Sequence, residues 1–520
     1  MVNWAQDDGV GCLNYYIAQF ICVVNRPIKR EGNMFNEQSE CGQLQNHLAR
    51  LGGHLDEYLR FASGDAMVNP ERWQSKLRQS LPAQGVGINT VIAEIGRYLL
   101  PNASQIPNPG CTSFITTGAT TIGALATLAG SVAAPQRNGL HSFNFLEDLS
   151  LQWLAELFGL PSDLQGIYSS GGSIANLLAL GAARQRAFER IGIDPAKSGV
   201  QQQTRVFTSA ESHHSVLRAC AVLGLGRDAL VKIPCDEQGR MRIDALVDAI
   251  KQRDGLPIAI VGNLGTTNAG VIDPIAQLAK VARAHDIWLH LDGAYGLPGI
   301  LDPTVAPQFA GIEVADSIIV DPHKWLGAPV GIGATFVRDG ELLQRAFTQQ
   351  PAAYLEGSMA QQNVSHSMDG MGTPYMDMGV ELSSPSRGAV VWALLREIGR
   401  DGMRDRICRH NAMARELAKQ VKANPHLELL REPTLSICCF RYVDSRVADL
   451  DQLNRSIHRQ LIHNSRNMPS TTQINGKLAI RPCFVGARTS WQHVDALLEE
   501  VREIGARLAE GIVERQGTSN

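Results

Sequence analysis

Several apolar runs in this chain end in residues able to do chemistry. In Ile318-Ile319-Val320-Asp321-Pro322-His323-Lys324-Trp325-Leu326-Gly327 a lysine stands between an imidazole and an indole just past a strand-like run. A partly desolvated lysine in that position is a capable imine-forming amine. In Ile287-Trp288-Leu289-His290-Leu291-Asp292-Gly293-Ala294-Tyr295 a carboxylate closes a nearly continuous apolar strand. An acid there is costly to desolvate without a cation, so Asp292 either caps the next turn or faces a protonated ring nitrogen. In Thr208-Ser209-Ala210-Glu211-Ser212-His213-His214-Ser215, His213 either stacks on a planar heterocycle or is a surface histidine ahead of a helix. Ser169-Ser170-Gly171-Gly172-Ser173 leads into an Ala/Leu-rich helix. Small residues there let a phosphate approach the backbone N–H groups of a helix N-terminus, or else make an ordinary tight turn. Gly262-Asn263-Leu264-Gly265-Thr266-Thr267 adds hydroxyls and backbone donors, Thr266 among them.

These groups meet only if the runs before them are neighbouring strands. Between residues 110 and 345, β-branched runs at 204–208, 258–261, 287–291 and 317–320 alternate with Ala/Leu-rich helices. Such alternation predicts a largely parallel sheet flanked by helices, and ligands of open α/β sheets gather at the carboxyl ends of the strands. Upstream, Leu48, Leu51, Leu55 and Leu59 recur at helical spacing, and the pattern breaks at Pro101-Asn102-Ala103-Ser104. Downstream, a Gly- and Met-rich stretch at 357–379 has no periodicity and reads as a functional loop, a candidate lid. Helices at 386–398 and 404–422, short strands and a last helix at 491–515 then read as a smaller α/β domain. The expected division is an N-terminal helical segment at 1–107, a large domain at 108–390 and a small one at 391–520.

Composition narrows the function classes. A chain of 520 residues with 44% hydrophobic content can build two or three packed domains. With 48 basic against 51 acidic residues and no long run of either sign, neither nucleic acid nor an anionic membrane is the natural partner. The start carries Asp7 and Asp8, and the apolar stretch at 15–24 is far shorter than the roughly 20 residues that span a bilayer. Ten scattered cysteines without Cys-x-x-Cys spacing fit reduced thiols in the cytoplasm, and no metal site is expected.

Together the segments resemble the group II pyridoxal-phosphate-dependent amino-acid decarboxylases, in unbroken order from about Asn108 to Arg481. Pro-His-Lys-Trp at 322–325 is similar to the family's Schiff-base signature, and Leu291-Asp292-Gly293-Ala294-Tyr295 to its Val-Asp-Ala-Ala-Tyr motif. The resemblance implies a type I pyridoxal-phosphate fold with a mainly parallel seven-stranded sheet, and pyridoxal 5′-phosphate as cofactor. It makes Lys324 the Schiff-base lysine, Asp292 the partner of the pyridine nitrogen, Ala294 a small residue under the ring and His213 the stacking imidazole. Gly172 and Ser173 correspond to phosphate-cradling positions, with Thr266 and His323 beside the cofactor. Asp321 stands where aromatic-amino-acid decarboxylases commonly carry Asn, and an acid there repels a phosphate unless it turns away.

Tyr375 precedes Trp392 by the spacing at which the family's loop tyrosine precedes a helix tryptophan, which implies a proton donor to Cα once carbon dioxide has left. Phe114 and Ile115 correspond to a pocket-lining stretch, which leans toward an aromatic or apolar substrate. The resemblance also implies a homodimer with its active site at the subunit boundary, in which the stretch at 15–24 is buried either at the interface or in a core helix. The expected reaction is decarboxylation of an L-amino acid to its amine. Carbon–carbon lysis, aldehyde-forming oxidative decarboxylation and a cofactor-binding protein on a retired enzyme scaffold are the alternatives.

Overall fold

The structure, a computed structural model, describes residues 42–61, 70–78, 80–134, 141–252, 254–348, 373–464 and 466–517. The apolar stretch at 15–24 and positions 357–372 of the expected loop lie outside the described residues. The described residues between 42 and 103 form one compact unit, and those from 104 onward form another. The first unit holds helices Leu44–Tyr58, Pro70–Leu77 and Ile88–Glu94, and among its described residues only Ile92 is buried.

Strand β1 (Cys111–Thr112) opens the second unit but belongs to its smaller sheet. The larger sheet has seven strands: β2 (Gln165–Ser169), β3 (Thr204–Ser209), β4 (Leu230–Ile233), β5 (Leu256–Asn263), β6 (Trp288–Asp292), β7 (Ser317–Val320) and β8 (Gly333–Val337). Their order is β2-β8-β7-β6-β5-β3-β4. All neighbours run parallel except β8, which is antiparallel to both β2 and β7. Every residue of β6 and β7 is buried, as expected for central strands covered on both faces. That is why these segments read as nearly continuous apolar runs rather than alternating ones.

Helix Gly172–Glu189 packs on this sheet through a face of small residues, with Ala175, Ala179, Ala182 and Ala183 fully buried. Its entry turn depends on glycine. Gly171 has φ 126°, a region L side chains rarely adopt. A Cβ on Gly333 would lie 2.8 Å from the Gly171 backbone, so the end of β2 and the start of β8 touch without side chains between them.

A second sheet of order β1-β11-β12-β10-β9 joins β1 to β9 (Leu427–Arg431), β10 (Cys439–Tyr442), β11 (Met468–Ile474) and β12 (Lys477–Arg481). It has its own hydrophobic cluster, in which Phe440, Ile480 and Phe484 meet Leu417, Ile457 and Leu497 of the covering helices. The two helices expected at 386–398 and 404–422 are both present within Gly388–Lys422, where they meet at a kink at Gly399, whose backbone is not helical (φ 71°). A residue without Cβ permits that kink. The last helix is Trp491–Gly517.

Candidate active site

A cavity of about 320 Å³ opens at the carboxyl ends of β3, β5, β6 and β7, within the size range of small-molecule sites. Gly172, Ser173, His213, Asp292, Ala294, His323 and Lys324 all line it. Parallel strands bring together side chains that are more than a hundred residues apart because each strand delivers its following turn to the same edge.

Lys324 sits in a single wide turn, Pro322–Leu326, that leaves β7 and ends at Gly327 with φ 87°. Its Nζ is 3.1 Å from Asp321 Oδ2, and its side chain remains 24% exposed toward the cavity. Asp321 thus turns to the lysine; its other oxygen is buried with no hydrogen-bond partner. Asp292 ends β6 and is 8% exposed. Its Oδ1 accepts from the Ala294 N–H at 3.1 Å and its Oδ2 from Asn176 Nδ2 at 3.0 Å. Both donors are neutral, and among the described residues no cation pairs with this acid.

His213 Nδ1 lies 2.8 Å from Ser215 Oγ, and its ring is 4.0 Å from that of His214. Burial, followed by the neighbouring His214, holds its imidazole below the ordinary value. His323 is fixed by a 2.6 Å contact from Nδ1 to the Ile332 carbonyl. Ala294 packs with Ala175, Ala179 and Ile319 in a small apolar cluster beside the cavity.

The helix N-terminus at Gly171–Ser173 keeps free donors. Ile174 and Ala175 already give their N–H groups to the Gly171 carbonyl, whereas the first N–H groups of a helix, here those of Gly172 and Ser173, have no partner within it. Added Cβ atoms would meet His323 at 3.1 Å from Gly171 and Asp321 at 2.6 Å from Gly172. The small residues therefore let His323 and Asp321 pack against the turn, while the N–H groups at the helix start remain the donors an anion would meet.

Four expected residues lie elsewhere. Thr266 is 2% exposed and closes its own turn: its N–H donates to the Val271 carbonyl and its hydroxyl accepts from the Val271 N–H at 3.1 Å. Its neighbour Thr267 lines the cavity instead. Phe114 is 58% exposed, and Ile115 packs against the main hydrophobic core; neither lines the cavity. Tyr375 is also absent from the lining. It is 3% exposed, belongs to the main core and donates its hydroxyl to Asp148.

Sequence reading passed over the groups behind the cavity wall. Asn176 and Ser215 line it, although Asn176 reads as an ordinary helix residue. Arg481 is 5% exposed on β12 and donates to the carbonyls of Ser113, Thr267 and Asn268 and to Ser470 Oγ. No carboxylate pairs with it among the described residues. The one available signal was a lone arginine in the apolar run Leu478-Ala479-Ile480-Arg481. Arg387, by contrast, is taken up by Glu381 at 2.7 Å, Ser384 and the Gly331 carbonyl.

A mainly parallel seven-stranded sheet with a lysine, an unpaired acid, an imidazole and a helix N-terminus at one edge defines a type I pyridoxal-phosphate protein. Residues 70–443 match the pyridoxal-dependent decarboxylase conserved domain, and the chain belongs to that family. It is 28% identical to an aromatic-L-amino-acid decarboxylase of Bacillus atrophaeus over 462 residues, 85% of this chain and 90% of that one. It is 29% identical to an L-2,4-diaminobutyrate decarboxylase of Rhizobium meliloti over 439 residues, 82% and 84% of the two chains. The crystal structure of Oryza sativa TDC with PLP and tryptamine shares the fold, with a TM-score of 0.81 at 21% identity over 90% of this chain and 98% of that one. The residues at the cavity fit pyridoxal phosphate. The helix N-terminus suits its phosphate, Lys324 its aldehyde, and the unpaired Asp292 a cationic ring nitrogen.

Proposed function

We propose that this enzyme removes the α-carboxylate of an L-amino acid as carbon dioxide and releases the amine, with Lys324, Asp292 and His213 as its central residues. The observation that carries the reading is Asp292: a nearly buried carboxylate held by two neutral donors and lacking a cation of its own. An acid so placed is favourable only when a positive group arrives with the ligand.

Bound pyridoxal phosphate supplies an electron sink for the pair released when the carboxylate leaves. The chain's own residues prepare that step. Asp292 keeps a proton at the ring nitrogen, which deepens the sink. His213 limits tilt of the ring, while Gly172 and Ser173 anchor the phosphate through backbone N–H groups. When substrate displaces the Lys324 amine, the Asp321 carboxylate is in place to hold the lysine 3.1 Å away.

The proposed substrate class is aromatic or apolar at its side chain. Lys324 is the only lysine or arginine among the described residues lining the cavity, and Arg387 is committed to Glu381, so a second carboxylate would find no free cation there. The buried Arg481 cation behind Thr267 raises the positive potential at that wall and favours approach of the α-carboxylate.

We also infer a cytoplasmic homodimer. Helix Thr121–Ala133 is apolar along most of its length yet leaves Leu125 56% and Val132 62% exposed, and Phe114 and Phe145 are similarly open. A second copy is the natural cover for such surface. The seven described cysteines are all unbridged, in keeping with a reducing compartment. A carbon-dioxide release screen over the common amino acids with added cofactor, with the product identified, tests the reaction. Aldehyde and hydrogen peroxide in place of amine would overturn it.

A further inference from the structure

Asn176 is 1% exposed and lies one turn beyond Ser173, where its carboxamide reaches Asp292 directly and His213 through Ser215. Its Nδ2 donates to Asp292 Oδ2 at 3.0 Å and to Ser215 Oγ at 3.0 Å, and its Oδ1 is 2.7 Å from His290 Nε2. A carboxylate only accepts, so the NH₂ end must face Asp292 and the carbonyl end must face His290.

This fixes every proton further back. Asn176 Oδ1 also only accepts, so His290 carries its hydrogen on Nε2. Burial pushes the fully buried His290 imidazole down to about 4, and at neutral pH its Nδ1 is therefore bare. That nitrogen takes the Ser317 hydroxyl hydrogen at 2.9 Å, and Ser317 Oγ in turn accepts from the Trp288 indole at 2.8 Å. An indole N–H can only donate. The chain Trp288, Ser317, His290, Asn176, Asp292 thus runs in one direction and is fully satisfied with Asp292 ionised.

A branch leaves at the same amide. The Ser215 backbone N–H also points at His213 Nδ1, at 3.3 Å, which marks that nitrogen as the acceptor; it takes the Ser215 hydroxyl hydrogen at 2.8 Å while Ser215 Oγ accepts from Asn176, leaving the His213 proton on Nε2. Asp292, Asp321, Lys324 and His214 are the charged or titratable groups around that imidazole.

We propose that Asn176 is a positioning residue: its carboxamide, oriented by His290, holds Asp292 as a carboxylate and, through the Ser215 hydroxyl, supports the tautomer of His213, so that one neutral group bears on both the ring-nitrogen partner and the stacking imidazole. A neutral amide suits the task because it stabilises the charged acid without supplying the cation that the ring nitrogen must provide. The inference rests on the reading of Asp292 and His213 as the groups that meet the ring.

The test is made on full-length protein, with histidine-labelled nuclear magnetic resonance of the cofactor-free form and titration with pyridoxal phosphate. Asn176→Ala should turn His213 from one tautomer into a mixture and weaken cofactor binding by about ten-fold, the scale of one hydrogen bond to a charged group. Ser215→Ala should mix the His213 tautomers but change cofactor binding less than about three-fold, since the Asp292 arm is intact. If Asn176→Ala does not fold, His290→Phe, which frees the amide to rotate, should reproduce both effects. The proposal is overturned if the variant that folds leaves the His213 tautomer and cofactor affinity as in the parent, or if Ser215→Ala leaves the tautomer unmixed. A parent protein that bound no pyridoxal phosphate would instead overturn the reading of the site, and the relay would then stand or fall on the His213 signals alone.

Discussion

The ammonium of Lys324 lies 3.1 Å from Asp321 Oδ2, whereas Asp292, which lines the same cavity, has no cationic partner among the described residues. Two buried carboxylates at the ends of the neighbouring strands β6 and β7 therefore differ in role. Asp321 is the counter-ion of the lysine, and Asp292 awaits a charge brought by the cofactor. Replacing Asp292 with Asn leaves a ring cation uncompensated, so kcat/KM should fall by about a hundred-fold or more. Asp321→Asn keeps an acceptor oxygen beside the displaced lysine and leaves the ring-nitrogen partner untouched, so it should cost less than Asp292→Asn. Steady-state kinetics of the two variants side by side decide this, and a Asp292→Asn enzyme within three-fold of the parent, to about the precision of such assays, contradicts the assignment.

Lys324→Ala removes the only lysine among the described lining residues. The variant should still take up pyridoxal phosphate through the helix N-terminus and Asp292, but borohydride should no longer fix the cofactor to the protein. Peptide mass analysis after reduction reads this directly: the parent should carry the label on the peptide containing Lys324. A label found on another lysine would remove the foundation of the site.

The strand-end residues were legible because a parallel sheet does the positioning by rule. An apolar run followed by a polar turn places its last side chains at one edge, and Lys324, Asp292, His213 and Gly172 each stand just past such a run. What escaped sequence reading depends on contacts between distant segments. Thr266 and Thr267 are equivalent as residue types, and only the turn that bonds Thr266 to Val271 decides which one faces the cavity. The Asn176 network needs helix Gly172–Glu189, β6 and β7 to be packed before any of its bonds exists. The spacing between Tyr375 and Trp392 likewise carries no information about Asp148, more than two hundred residues upstream, which takes the tyrosine hydroxyl.

Tyr375 therefore provides a sharp comparison of two roles. A proton donor to Cα must reach the cavity, but this hydroxyl is buried in the main core and engaged by Asp148, and burial pushes its ionisation well up. Tyr375→Phe should lower stability by about 1–2 kcal/mol through the lost hydrogen bond while the product remains the amine. Thermal denaturation and product analysis on the same sample separate the outcomes. Aldehyde with hydrogen peroxide from this variant would restore Tyr375 to the chemistry.

Two buried histidines contribute to the response to acid. Burial pushes His290 down to about 4 and His410 down to about 3, from an ordinary value of 6.5. The unfolded chain takes up these protons near 6.5, and the folded chain does not until far lower pH. Between the two values the unfolded state binds more protons, so stability is full above 6.5 and falls as pH drops, by up to about 1.4 kcal/mol per unit for each histidine. His410 accepts the Trp325 indole N–H at 3.0 Å on Nδ1, directly beside Lys324 in sequence, so its protonation would also loosen the turn that carries the lysine. Gln at 410 can still accept from the indole but does not titrate. His410→Gln should therefore lose less stability than the parent between about pH 7 and pH 5, even if it begins somewhat lower. Denaturant titrations of both proteins at the two pH values measure the difference of differences, which cancels the shared contribution of the carboxylates. Equal losses in the two proteins would mean that His410 does not stay neutral in the folded state.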